Sequence, residues 1–453
     1  LNTLNGILNE KYITIYTLGC KVNQYESDAM LEALLSAGCI DSDAEHTADI
    51  CIINTCSVTN MADRKSRQII HRLRKQNPGA LIVGTGCYVQ AAADELLIGG
   101  EVDLVIGNNR KKDVVRILSE HLGGGDISDN IIDIGADHDF ENLSITSTSE
   151  HTRAYVKIQD GCNNFCTYCI IPYVRGRIRS RALPDIVDEV THLAASGIRE
   201  IVLTGINVSS YDDASSGNAD STAHSTGHSL IDVITAVAAV PGILRVRLSS
   251  LEPRVITEDF LRVAAATPEF CPHFHLSLQS ACNRTLKAMN RKYTIEEYAD
   301  KCSLIRQYFD RPALTTDVIV GFPGETDEDF EETYRNLEAL KLYEMHVFKY
   351  SRRRGTVADR MPDQIDETVK HSRSERLIVL ADRLKAEYEE SFRGEALEVL
   401  TEEIIHKDIE TPDGIKNKSF YRGHTKNYML IDIPCSAVKE DSVGVNRIVE
   451  WTV

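Results

Sequence analysis

Between Tyr12 and His121, apolar runs alternate with amphipathic stretches. Residues 12–18 (YITIYTL), 49–54, 80–85 and 103–106 are rich in β-branched side chains and read as strands. Stretches 23–37, 61–76, 90–97 and 111–121 carry apolar positions at helical spacing and read as helices. Strands alternating with helices over short connections predict a parallel sheet covered by helices. A Gly/Ser/Thr-rich stretch from Gly123 to about Thr152 follows. It reads as a linker holding at most one strand, at 130–134.

A second alternation begins at residue 154. Its strands are expected at 154–159, 199–204, 243–249, 273–279, 313–320 and 343–349, with helices at 184–196, 230–240, 294–309 and 327–340. Six such units predict an incomplete barrel rather than a closed eight-unit one. In 273–279 (HFHLSLQ), His273, His275, Ser277 and Gln279 share one face, and Phe274, Leu276 and Leu278 the other. A polar inner face suits an open barrel that holds a ligand. The low-complexity insert 211–229 reads as a surface loop outside the core. A charged helix is expected over 367–392, then short strands near 396–400, 418–421, 428–433 and 448–453. Those strands have the rhythm of a small β-barrel. The expected fold is thus α/β in three parts: an N-terminal parallel sheet (1–146), a partial (βα)6 barrel (147–387) and a small β-barrel (388–453).

Composition narrows the class. The chain has 453 residues and a net charge of −18, which excludes a surface coated in basic charge but leaves room for local basic patches. Hydrophobic content of 42% and charged content of 26% exclude global disorder. The apolar stretch 230–244 is broken by Asp232, Thr235 and Pro241–Gly242, too short and interrupted to span a bilayer. The first residues (LNTLNGILNEKY) have neither a basic start nor an apolar core. The reading is therefore no secretory leader, a reducing compartment and a cytoplasmic, monomeric protein without a membrane anchor.

In such a compartment the twelve cysteines point to metal binding or chemistry rather than disulfides. Cys162, Cys166 and Cys169 stand in C-x3-C-x2-C spacing directly after a predicted strand. Structural zinc needs four ligands, and the nearest candidates, His151 and His192, lack finger-like spacing. Electron-transfer iron–sulfur clusters normally use four cysteines, so three imply an iron kept open for a substrate. Cys20, Cys56 and Cys87 each fall just past a predicted parallel strand, at the sheet edge where ligands bind. Cys39, Cys51, Cys271, Cys282, Cys302 and Cys435 read as inert core thiols.

The stretch DGCNNFCTYC, with aromatic Tyr168 before the last cysteine, resembles the radical S-adenosylmethionine (SAM) superfamily. Together TLGCKVNQYES (17–27), INTCSVTN (53–60), TGC (85–87) and QDGCNNFCTYCIIPYVRGRIRSR (159–181) resemble its methylthiotransferase family. The resemblance implies two 4Fe–4S clusters, on Cys20/Cys56/Cys87 and on Cys162/Cys166/Cys169, all six catalytic. It also implies SAM, an electron donor such as flavodoxin or ferredoxin, and a tRNA anticodon stem-loop as partner.

The strand ends carry LTGIN (203–207), SSLEP (249–253), Gln279 and GFPGE (321–325). Asn207, Ser250, Glu252 and Gln279 can hydrogen-bond SAM, with Tyr168 and Phe322 beside the adenine. Each is otherwise a polar or turn residue at a strand end. Ala281 stands where the family carries glycine, so the backbone there needs no positive φ.

Three basic runs interleave with aromatics, as RNA contact requires. They hold Arg175 and Arg177; Arg352, Arg353 and Arg354; and Lys416, Lys418, Arg422 and Lys426. The bland alternative for each is an ion-paired or solvated face. The last of them lies in a segment that resembles the TRAM domain, a tRNA-binding barrel. RKYT (291–294) and HVFKYSRRRGTVADRMPDQI (346–365) resemble the branch that methylthiolates carbon 2 of threonylcarbamoyl-adenosine. The isopentenyl-adenosine branch is the runner-up, and an iron–sulfur RNA-binding redox sensor is the non-enzymatic alternative.

Overall fold

The computed structural model describes residues 6–42, 47–57, 59–125, 130–147, 152–215, 227–411, 414–438 and 444–453. Five parallel strands form the N-terminal sheet: β1 (Tyr12–Thr17), β2 (Ile40–Asp41), β3 (Ile50–Thr55), β4 (Leu81–Gly86) and β5 (Leu104–Ile106), in the order β2-β1-β3-β4-β5. β3 is buried at every position, as its near-continuous apolar run demands of a strand covered on both faces. Ile50 and Ile52 pack with Met30, Leu34 and Ile117 from helices Lys21–Ser36 and Val114–Leu122. Cys51 and Ile53 point the other way, to Ile69, Leu73 and Leu96 of helices Asn60–Gln76 and Cys87–Ile98.

The second unit contains β6 (Arg153–Asp160), β7 (Arg179–Ser180), β8 (Glu200–Gly205), β9 (Arg245–Leu248), β10 (His273–His275), β11 (Ala313–Val320) and β12 (Glu344–Lys349). β7 is a short antiparallel edge on β6. The other six are parallel, and the bridges Val246–Phe270 and Leu251–Leu276 join β9 to β10. This is the open six-stranded barrel that the alternation predicts. Phe274, Leu276 and Leu278 are fully buried on the outer face, while His275, Asp317 and His346 gather on the inner one.

β13 (Ala396–Thr411), β14 (Gly414–Thr425), β15 (Leu430–Pro434) and β16 (Ile448–Thr452) form an antiparallel sheet, order β15-β14-β13-β16. The short strands expected at 396–400 and 418–421 are parts of one long hairpin, β13–β14. The sheet docks where the barrel strands begin. Arg245 donates to the carbonyls of His424 (2.8 Å) and Glu398 (2.9 Å), and Tyr428 stacks on His273 with ring centroids 4.7 Å apart.

Two expectations need correction. No strand forms at 130–134, and the described part of the linker is packed: Leu143 and Ile145 are buried, and Tyr25 Oη donates to the Leu143 carbonyl at 2.6 Å. The insert is not wholly outside the core either. Tyr211 is 5% exposed and donates to the Arg181 carbonyl at 2.6 Å, while residues 216–226 lie outside the described set.

Candidate active site

Each N-terminal cysteine follows a strand of the parallel sheet. Cys20 precedes helix Lys21–Ser36, Cys56 directly follows β3, and Cys87 opens helix Cys87–Ile98. Gly86 (φ 91°) makes the turn ahead of Cys87, where an added Cβ would stand 2.4 Å from the Thr55 carbonyl oxygen. The turn thus requires glycine. Gly161 (φ 71°) does the same ahead of Cys162, where a Cβ would meet the Arg177 carbonyl oxygen at 1.8 Å. That close approach lets the Cys162 amide donate to the Gly176 carbonyl at 3.1 Å and folds the cysteine loop back on itself.

Cys162, Cys166 and Cys169 line one cavity of about 300 Å³ together with Tyr168, Asn207, Glu252, Gln279, Asp317, Phe348 and Lys349. A second cavity, of about 310 Å³, shares Asn164, Cys166, Asn207, Glu252 and Arg291 with it. Burial pushes the thiols of Cys162 and Cys169 up, to about 11 and about 12. A bound cation would ionise them, and soft thiolate donors suit iron–sulfur centres. The described residues put neither candidate zinc histidine beside them: His192 is exposed and pairs with Asp188, and His151 is outside the described set.

Two arginines touch sulfur: Arg291, which the sequence did not single out, and Arg175, which it read as an RNA contact. Arg291, 4% exposed, donates to Cys166 Sγ (3.2 Å) and to both Glu252 oxygens (2.8 and 2.7 Å). Its segment, RKYT, shows no spacing that marks it as part of the site. Arg175, fully buried, donates from Nε to Cys87 Sγ at 3.3 Å, and its remaining nitrogens reach Asn23 (2.6 Å), Glu26 (2.5 and 3.0 Å) and Asp160 (3.2 Å). Burial alone would raise the Glu26 carboxyl, but Arg175, Lys111 and Lys157 hold it well below the usual carboxylate range. Arg175 sits six residues past Cys169 in the chain and contacts Cys87. It therefore joins the segment that follows the second cysteine set to Cys87 and Glu26 of the N-terminal sheet's loops and helices.

The Arg175 contacts correct its expected role: it cannot meet RNA, because it is enclosed by carboxylates and sulfur. Arg353 is also misread. It is 6% exposed and bonds Asp63 (2.7 Å) of helix Asn60–Gln76 and Ser57 just past β3. Arg352 is exposed and paired with Asp359 at 3.0 Å, and Arg354 is 96% exposed. Arg177 is partly exposed, 4.6 Å above the Phe165 ring. Lys416 and Lys418 are exposed on β14. Arg422 pairs with Asp432 at 2.8 Å, and Lys426 donates to the Pro268 carbonyl at 3.1 Å.

Of the expected SAM contacts, Tyr168, Asn207, Glu252 and Gln279 line the cavity. Phe322 does not: it is 1% exposed, in an apolar cluster with Met289 and Tyr350 against which Tyr168 packs. Ser250 is half-buried and outside both cavity walls. Ala281 needs no positive φ, as expected; the left-handed residue of that turn is Gln279, φ 73°. Of the cysteines read as inert, Cys39, Cys51, Cys271, Cys282 and Cys302 are buried and Cys435 is half-buried.

Comparison with known proteins agrees with this geometry. The Radical SAM superfamily profile matches residues 156–337, and that of the uncharacterized protein family UPF0004 matches residues 12–107. The Bacillus subtilis (strain 168) protein named threonylcarbamoyladenosine tRNA methylthiotransferase MtaB is 39% identical over 92% of this chain and 89% of its own length. The Desulfotalea psychrophila protein named tRNA-2-methylthio-N(6)-dimethylallyladenosine synthase is 36% identical over 89% of this chain and 90% of its own. The solved radical SAM methyltransferase TsrM of Kitasatospora setae shares the fold, with TM-score 0.57, 18% identity and 77% of each chain covered. The chain belongs to the radical SAM methylthiotransferase family.

Proposed function

We propose that this protein is a tRNA methylthiotransferase that places a methylthio group on carbon 2 of N6-threonylcarbamoyl-adenosine beside the anticodon, consuming two SAM molecules. One structural observation supports the reading: an arginine side chain donates to a sulfur of each three-cysteine set, Arg175 to Cys87 Sγ and Arg291 to Cys166 Sγ. A simple electron carrier has no use for two incompletely ligated centres. The name of the B. subtilis relative supports the substrate.

In this reading Cys20, Cys56 and Cys87 hold one 4Fe–4S cluster and Cys162, Cys166 and Cys169 the other. When bound, the clusters supply one-electron cleavage of SAM and the sulfur to be inserted. The chain's own residues position the reactants. Glu252, held in place by Arg291, faces the cavity to receive the SAM ammonium, and Asn207 and Gln279 offer amides to its polar groups. Ile206, Ile319, Phe348 and Tyr350 exclude water from the same space. Lys349 in the wall and exposed Arg354 offer positive charge to the carboxylate of the threonylcarbamoyl group.

The domains divide near residues 146 and 387, and the C-terminal sheet presents Lys416 and Lys418 to RNA in the manner of a TRAM domain. The protein works as a cytoplasmic monomer with a flavodoxin or ferredoxin as electron donor. Among the described residues no helix is long and apolar enough to cross a membrane. The apolar wall at Ile319 and Phe348 favours a second reading, isopentenyl-adenosine as substrate. Anaerobic turnover on RNA bearing each nucleoside, followed by nucleoside mass spectrometry, separates the two.

A further inference from the structure

We propose that Tyr173 and Arg177, backed by Phe165, form a stacking subsite for an unpaired RNA base beside the reaction cavity. The proposal rests on the tRNA reading above and adds residues to it.

The cysteine loop runs directly into the short helix Ile171–Val174. Ile171 lines the cavity, whereas Tyr173, two residues on, is 54% exposed. Phe165, inside the cysteine loop, meets Tyr173 edge to face with centroids 6.0 Å apart. Phe165 has φ 48°, a conformation that an aromatic residue adopts only under constraint. Asn290 supplies that constraint, donating from Nδ2 to the Phe165 carbonyl at 3.0 Å and the Asn164 carbonyl at 3.3 Å. Strain held in this way next to a reaction cavity points to function.

Arg177 completes the patch. The four arginines of 171–181 divide sharply. Arg175, Arg179 and Arg181 are buried and pair with carboxylates. Arg177 instead lies over the Phe165 ring at 4.6 Å. Among the described residues no carboxylate stands within ion-pair distance of it. A surface aromatic beside a guanidinium without a carboxylate matches the chemistry of single-stranded nucleic acid: a π face for the base and a fork for the phosphate.

The test uses iron-replete, full-length protein and two fluorescent anticodon stem-loops, one with threonylcarbamoyl-adenosine and one with plain adenosine. Equilibrium anisotropy should show Tyr173→Ala weakening both by about tenfold, with Tyr173→Phe within about twofold of wild type. Arg177→Gln should weaken both and reduce the log–log salt slope by about 0.7, one single-strand phosphate. If Tyr173→Ala loses iron, Tyr173→Leu, apolar but without a π face, must give the same loss of affinity. Unchanged affinity in Tyr173→Ala, or an equal loss in Tyr173→Phe, overturns the proposal. Unchanged RNA affinity with slowed reduction by flavodoxin also overturns it and assigns the patch to the electron donor. The plain stem-loop keeps the result independent of which nucleoside the enzyme modifies.

Discussion

Replacing Arg175 by glutamine removes the buried guanidinium that bonds Cys87 and its neighbouring carboxylates. The guanidinium bonds Cys87 Sγ, Asn23, Glu26 and Asp160 at 2.5–3.3 Å from full burial. Glutamine keeps one or two of these contacts and none of the charge. Removing one member of a buried ion pair costs about 3–5 kcal/mol. Here Glu26 keeps Lys157 (2.7 Å) and Lys111 (3.0 Å), and Asp160 keeps Lys157 (2.7 Å). The carboxylates are not stranded, so the cost falls at the lower end, about 3 kcal/mol. For the transition of the partial barrel alone, a unit of roughly 240 residues that melts at roughly 2–4 °C per kcal/mol, scanning calorimetry of iron-replete protein should show a midpoint lower by roughly 6–12 °C. Arg175→Lys restores the charge without the fork and should fall between. Arg177→Gln, two residues along at the surface, should move the midpoint by under about 2 °C. An Arg175→Gln midpoint as close to wild type as that would refute the reasoning.

Three further outcomes follow from the same structure. Cys162→Ala should abolish reductive SAM cleavage, whereas Cys20→Ala should spare cleavage and abolish sulfur insertion; a Cys20→Ala protein that still methylthiolates RNA rules out the assignment of the second cluster. Arg291→Met releases Glu252 and should weaken SAM binding about tenfold or more in equilibrium dialysis; wild-type affinity would show that Glu252 needs no anchor. Burial would raise the Glu200 carboxyl, but Arg247 and Arg153 outweigh it and hold it down at about 2. Its folded value lies below its unfolded one, so the stability it adds is complete above about pH 4.5 and lost as pH falls towards 2, about 3 kcal/mol in all. Thermal midpoints measured down this range should drop, and Glu200→Gln should flatten the drop; parallel profiles would contradict this.

Strands such as β3 and β4 were legible because they are almost wholly buried and read as near-continuous apolar runs. Cys20, Cys56 and Cys87 were legible because each falls just past a strand, and Cys162, Cys166 and Cys169 because of their C-x3-C-x2-C spacing. The long hairpin β13–β14 was not, because much of it is exposed and its polar stretch TEEIIHKDIE carries no one-sided apolar pattern. Charge in a sequence says nothing of depth, which is why Arg175 and Arg353 read as surface contacts. Glu26 and Asp63, which they pair with, lie more than 100 residues away in the chain, although the other acid on Arg175, Asp160, is near it in sequence. Phe322 fails for the complementary reason: an aromatic after a barrel strand is as well suited to the apolar cluster beneath Tyr168 as to a ligand.

The most direct test of the central claim is anaerobic turnover of reconstituted protein with SAM, a reductant and RNA bearing either threonylcarbamoyl-adenosine or isopentenyl-adenosine, read by nucleoside mass spectrometry. The account predicts a methylthio mass added to threonylcarbamoyl-adenosine alone. Addition to isopentenyl-adenosine would keep the chemistry and contradict the substrate, and 5′-deoxyadenosine without any modified nucleoside would contradict the methylthiolation itself.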